Sequence, residues 1–127
     1  MKLRIKGSSL RLRLTQGEVS SLESGGQVAE QVHFGGAASL TYRLRTDTRS
    51  PEISASYADN VIDIRVPLDM ALTWSRTDQV TLSHAQAAGD AELRIVIEKD
   101  WNCLAPRSEE DESDNFPHPE TGTGKVC

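Results

Sequence analysis

The sequence predicts a small α+β domain made of two successive β-β-α-β-β units, and three observations carry that prediction. Eight short segments alternate apolar with polar residues at a period of two, the pattern of half-buried strands. Two segments between them carry helix signals, a capping-box spelling at Thr15-Gln16-Gly17-Glu18 and Pro67 ahead of apolar residues at helical spacing. The whole order of breaks and apolar positions returns after about 52 residues.

Residues 2–6 and 10–14 place Leu3, Ile5, Leu10, Leu12 and Leu14 on one face, with Gly7-Ser8-Ser9 as the turn of a hairpin. Thr15 and Glu18 then satisfy free amides at a helix start, Val19 and Leu22 form its buried stripe, and Ser24-Gly25-Gly26 ends it. Residues 27–34 and 38–45 follow as a second strand pair around Gly35-Gly36, with Leu40, Tyr42 and Leu44 as the apolar face. After Asp47-Thr48-Arg49-Ser50-Pro51, residues 53–57 and 61–66 alternate again around Ala58-Asp59-Asn60. Pro67 suits a first helical position, where a missing N–H costs nothing, and a helix over 67–75 buries Met70 or Ala71 together with Trp74. Residues 79–84 and 91–98 supply the last two strands.

A shift of 52 positions lays Leu10 on Ile62, Leu12 on Ile64, Arg13 on Arg65, Leu14 on Val66, Leu22 on Trp74 and Val28 on Val80. One further residue of shift pairs Leu40, Tyr42 and Leu44 with Leu93, Ile95 and Ile97. Identities are few, and the signal is the shared rhythm. The organisation expected is therefore one pseudo-symmetric domain over 1–100, with units 1–47 and 52–100, followed by an acidic tail over 101–127.

Composition sets the class. A chain of 127 residues with 37% hydrophobic and 26% charged residues fits one soluble domain with one core. No apolar run approaches the roughly 18 residues a membrane-spanning helix requires. The opening Met1-Lys2-Leu3-Arg4-Ile5-Lys6 alternates charge with aliphatics instead of forming the apolar block of a signal peptide, so a cytoplasmic location is expected. Cys103 and Cys127 are too few for a disulfide framework. The net charge of −5 divides unevenly, as +4 over residues 1–50, −5 over 51–100 and −4 over 101–127. The run Ser108-Glu109-Glu110-Asp111-Glu112-Ser113-Asp114 lacks the apolar area that offsets ordering entropy, so the tail is expected to be flexible, with Trp101, Leu104 and Phe116 as isolated anchors.

Asp59-Asn60, Ile62-Asp63-Ile64-Arg65-Val66-Pro67 and the helix ending Trp74-Ser75-Arg76-Thr77-Asp78-Gln79-Val80 resemble the swapped-hairpin barrel of bacterial transition-state regulators and antitoxin DNA-binding domains. That family shows a turn, an alternating strand ending in aliphatic-Pro, a short helix, then acidic-x-Val and a hairpin. The first half keeps the turn and strand but has Thr15 where the family favours Pro. The resemblance implies a small β-barrel. Members pair two chains into one barrel and grip DNA through their hairpins; here two units in one chain complete it alone. The opening Met1–Leu14 also looks like that of a family of short, uncharacterised bacterial proteins, a likeness that conveys no activity.

The amino-terminal hairpin is the best candidate surface: with Leu3, Ile5, Leu10 and Leu12 facing inward, Lys2, Arg4, Lys6, Arg11 and Arg13 share the outer face and are placed to meet phosphates. The equivalent face of the second unit offers Ser54, Ser56, Ala58, Asp63 and Arg65 and is not basic, so a symmetric grip on DNA is not expected. In the tail, Glu109, Glu110, Asp111, Glu112, Asp114 and Phe116 are candidate contacts, to the basic hairpin or to another protein. Cys103, His118 and Cys127 lack the close pairs of structural zinc sites, and His33 and His84 read as packing or surface residues, so no metal or other cofactor is expected. No nucleophile elbow, phosphate loop, zinc-protease motif or dinucleotide fingerprint occurs; two of Asp59, Asp63 and Asp100 could form a carboxylate pair, but ordinary surface acids explain them as well, so no enzyme is expected. Three readings stay open. The first is a non-enzymatic binding module for a protein partner, as a monomer or weak homodimer; the second is a DNA-binding regulator or antitoxin-like protein; the third is a barrel that holds a small ligand.

Overall fold

A computed structural model describes residues 1–101 and 114–117. The chain runs β1 (Lys2–Ile5), β2 (Ser9–Leu14), α1 (Gln16–Gly25), β3 (Gln27–Gly35), β4 (Ala38–Asp47), β5 (Ser54–Ala58), β6 (Val61–Pro67), α2 (Leu68–Arg76), β7 (Thr81–Ala88) and β8 (Ala91–Lys99). Each expected element is present, with its bounds moved by a few residues. The largest change is β7, which continues to Ala88 because Ala85, Ala87 and Ala88 blur an alternation still visible as Leu82, His84 and Gln86.

The strands form two four-stranded sheets instead of the barrel the resemblance implied. Sheet A has the order β1-β2-β8-β7 and sheet B the order β3-β4-β6-β5. No ladder joins one sheet to the other among the described residues. Each sheet takes one hairpin from each half of the chain, and the halves meet through parallel central pairs, β2 with β8 and β4 with β6. The remaining pairs are antiparallel hairpins.

Turn chemistry fixes the hairpins. Asp59 and Asn60 both have positive φ, 53° and 61°, as a two-residue primed turn requires. The α1 capping box forms as spelled: Thr15 Oγ1 accepts from the Glu18 N–H at 3.3 Å, and Glu18 Oε1 accepts from the Thr15 N–H at 3.0 Å. Gly26 closes the helix in the left-handed conformation, donating its N–H to the Leu22 carbonyl at 3.0 Å. Pro67 ends β6 and stands just before α2, where its missing N–H costs nothing.

The core lies between the sheets, under the two helices. Leu12, Leu14, Leu44, Ile64, Val66, Ile95 and Ile97 point inward from the central strands, and Val19, Leu22, Ala71 and Trp74 close over them from the helices. Burial of each large aliphatic contributes roughly 1.5–3 kcal/mol. The Trp74 indole donates to the Val80 carbonyl at 2.9 Å, so its buried N–H is satisfied. Lys99 is buried as well. Its ammonium donates to the Thr77 carbonyl at 2.6 Å, beyond the end of α2, and lies over the Trp74 and Phe116 rings. Desolvation holds this amine below the usual lysine range.

Residues 114–117 pack against the domain. The Asp114 carboxylate accepts from the Gly17 N–H at 3.2 Å in the first turn of α1, and the Phe116 N–H donates to the Asp100 carbonyl at 2.8 Å. The Phe116 and Trp101 rings meet edge to face at 5.4 Å, so two of the three expected anchors touch each other. Leu104, Glu109, Glu110, Asp111 and Glu112 lie outside the described residues.

Candidate functional site

Helices cover one end of the intersheet space, and the other end is open. Both β2 and β6 run into helices at their carboxyl ends, so Leu10 and Ile62, near their starts, lie at the far mouth. Parallel pairing brings the first turns of β4 and β8 to the same end. There Leu10, Leu40, Ala55, Ser56, Tyr57, Ile62 and Leu93 line a largely apolar cleft of about 360 Å³.

The rim of this cleft is unusually apolar. Ile5 pairs with Leu10, Tyr57 with Ile62 and Val32 with Leu40, so these three stand beside lining residues, while Phe34 lies at the register break near the end of β3. Ile5, Tyr57 and Phe34 are 58%, 65% and 67% exposed. Apolar residues scattered singly over a surface are ordinary, but a cluster around an apolar cleft points to contact with another molecule.

The two seams between the sheets differ. At the β5/β7 seam, the Gln86 side chain takes the place of a partner strand: its Oε1 accepts from the Ala55 N–H at 2.8 Å and its Nε2 donates to the Ala55 carbonyl at 2.9 Å. At the β1/β3 seam, Val32 holds the matching register position, since it faces Leu40 as Gln86 faces Leu93. Leu3 takes the position of Ala55, facing Leu12 as Ala55 faces Ile64. Valine offers no hydrogen bond, so this seam lacks the seal. Its helix-side end is bridged, where the Tyr42 hydroxyl donates to the Met1 carbonyl at 3.1 Å and the Met1 amine meets Glu18 and Glu30.

The basic residues expected on the first hairpin do share one face. Lys2 lies opposite Arg13 and Arg4 opposite Arg11, on the outer side of sheet A. Several are engaged: Arg11 Nη1 donates to both Glu98 oxygens at 3.0 and 2.9 Å, Arg13 Nε donates to Oε1 at 2.7 Å, and Lys2 Nζ lies 3.2 Å from Asp100 Oδ2. Arg4 and Lys6 form no ion pair among the described residues and flank Ile5 on the edge strand. In the tail, Asp114 and Phe116 contact the domain's own α1 and β8 end.

Ser54, Ser56, Ala58, Asp63 and Arg65 lie on one face of the second unit's hairpin, and arginines from the first half join that face. Parallel pairing of β4 with β6 places Arg43 and Arg45 beside Asp63 and Arg65. Comparing the hairpins in isolation missed this, because the arginines come from a strand of the first half. Burial would raise the Asp63 carboxyl, yet hydrogen bonds from Arg45 and Arg43 hold it below the ordinary carboxylate range. Asp59 stands at the β5–β6 turn and Asp100 at the end of β8, so Asp59, Asp63 and Asp100 have separate surroundings. Among the described residues, no group of three His, Cys, Asp or Glu is placed to hold a metal ion, and no helix is long and apolar enough to cross a membrane. His84 lies 3.3 Å from Glu52, and Cys103, His118 and Cys127 fall outside the described residues.

A family model described as Family of unknown function (DUF7009) matches residues 1–120, and the chain belongs to that family. No curated protein and no solved structure matches it.

Proposed function

We propose that this member of the DUF7009 family is a non-enzymatic binding module that takes an extended segment of a protein partner along the open β1/β3 seam. The observation that carries the reading is the contrast between seams. Gln86 fills the backbone-pairing role at β5/β7, whereas Val32, Phe34 and Ile5 leave the matching edge unsealed and apolar. Strand addition to a free sheet edge gives affinity through main-chain hydrogen bonds and specificity through alternate side chains. A strand laid beside β1 turns every second residue toward Ile5, Val32 and the cleft, and the others toward Arg4 and Lys6. The partner is therefore a segment in which acidic residues alternate with apolar ones. On this view the chain is a duplicated unit whose halves have diverged, one seam closed within the molecule and the other kept for a partner.

The test is fluorescence anisotropy with a labelled peptide alternating Glu with Val and Phe. Binding that falls about tenfold in Arg4→Glu/Lys6→Glu, and about tenfold when the peptide's Glu residues become Lys, supports the reading. Equal binding of the acidic and basic peptides, or a stable homodimer that occupies the β1/β3 seam, contradicts it.

A second reading rests on the outer face of sheet A, where Arg94 on β8 joins Lys2, Arg4, Arg11 and Arg13 beside the acids Glu92 and Glu98. That face suits a nucleic-acid backbone, and affinity for a duplex that falls steeply with salt would favour it.

A further inference from the structure

The outer face of sheet B carries a charge cluster that the binding seam does not use. In register across the sheet, Gln27, Arg45, Arg65 and Ser54 form one row, and Ala29, Arg43, Asp63 and Ser56 the next. Three guanidiniums therefore share one carboxylate. Asp63 Oδ1 accepts from Arg43 Nε at 3.0 Å and from Arg45 Nε at 3.1 Å, and Oδ2 accepts from Arg45 Nη2 at 3.0 Å. Arg65 Nε stays 3.9 Å from Oδ2, and although that nitrogen is buried it has no hydrogen-bond acceptor.

We propose that Arg43, Arg45 and Arg65 bind a doubly charged oxyanion, a phosphate or sulfate group, on the outer face of sheet B. The charge balance favours an anion, because three guanidiniums outnumber the two carboxylates of this face, Asp63 between them and Asp47 two residues beyond Arg45. Donor capacity matches as well. Each guanidinium presents five N–H groups in a planar fork, and Asp63 occupies only a few of them. The three side chains are each about a third exposed, so the remaining donors reach solvent. Asp63 acts as a positioning residue: by holding Arg43 and Arg45 it removes rotamer freedom that binding would otherwise have to remove. Ala29, Ser54 and Ser56, all small, hold the neighbouring positions of the same two rows. Glu98 on sheet A differs, since it accepts hydrogen bonds from both of its arginines and no arginine Nε there is left buried without an acceptor.

The experiment titrates the full chain with sodium phosphate, sulfate or chloride at constant ionic strength, following thermal stability and the arginine Nε–H resonances. Phosphate and sulfate are expected to stabilise the protein and shift the Arg65 and Arg43 signals where chloride does neither. Arg65→Met, which keeps the aliphatic stem and breaks no hydrogen bond, is expected to weaken phosphate binding about tenfold; should it fail to fold, Arg43→Met supplies the same comparison. Phosphate and sulfate behaving as chloride, or undiminished binding by the folded variant, overturns the proposal. So does binding of an oligonucleotide lacking terminal phosphates without binding of phosphate itself, which assigns the arginines to a polynucleotide backbone instead.

Discussion

Replacing Gln86 with leucine removes the seal of the β5/β7 seam while keeping the side-chain volume. Two hydrogen bonds are lost, at 2.8 and 2.9 Å, and the Ala55 N–H and carbonyl lose their protein partner. Each bond contributes about 0.5–1.5 kcal/mol net, so the upper bound is about 3 kcal/mol. Ala55 is only half-buried, so water takes over part of the loss, and the added apolar surface offsets a little more. The expected destabilisation is therefore about 1–2 kcal/mol. Urea unfolding should show it as a lower midpoint at unchanged slope, since the surface exposed on unfolding hardly changes. Hydrogen exchange gives the residue-level check: the Ala55 amide should lose protection while amides of the central strands keep theirs relative to global stability. A change below about 0.3 kcal/mol with unaltered Ala55 exchange would refute the claim that this side chain stands in for a strand.

Four further outcomes follow from the same contacts. Val32→Gln supplies the missing amide at the β1/β3 seam and should reduce binding of the acidic–apolar peptide without destabilising the domain, as anisotropy and urea unfolding would report. Asp63→Asn should cost about 1–3 kcal/mol, below the usual loss for a broken buried pair because its arginines are partly exposed. Because the folded-state Asp63 pKa is depressed, its stabilisation is present above the unfolded carboxylate range and lost as pH falls through the folded value; the variant should therefore show a shallower acid limb below about pH 4 in stability measured against pH. Asp114→Ala should cost about 0.5–2 kcal/mol by removing a carboxylate from the first turn of α1, as thermal melts would check. Trp74→Phe removes one of the two donors to the Val80 carbonyl, which keeps the Lys99 N–H at 3.1 Å, and leaves a void in the core, for an expected loss of about 1–3 kcal/mol in chemical denaturation.

Local structure was legible because each element is written in its own residues. Leu12 and Ile64 alternate with arginine and aspartate neighbours, and both are fully buried as that alternation requires. Thr15 with Glu18, Gly26, and Asp59-Asn60 each state a cap or a turn in chemistry that has few other uses. What the pattern left open was which strands become neighbours. Period-two alternation says that Arg43 and Arg45 face outward but not that β6 lies beside them, so the charge cluster around Asp63 was missed. Gln86 was missed for a related reason, since a glutamine at an inward position reads as an interruption of the apolar face until Ala55 is found opposite. The implied barrel resolved into two sheets because the edge strands stay apart in the ladders, with side chains bridging where backbone pairing would close the surface.

The most direct test of the binding seam is a nuclear magnetic resonance map of the alternating acidic–apolar peptide on the labelled full chain. Shifts and slowed exchange should centre on Leu3, Ile5, Val32 and Phe34, with Ala55 and Gln86 unchanged. Perturbations centred on the outer face of either sheet, or spread evenly over both seams, would contradict the account.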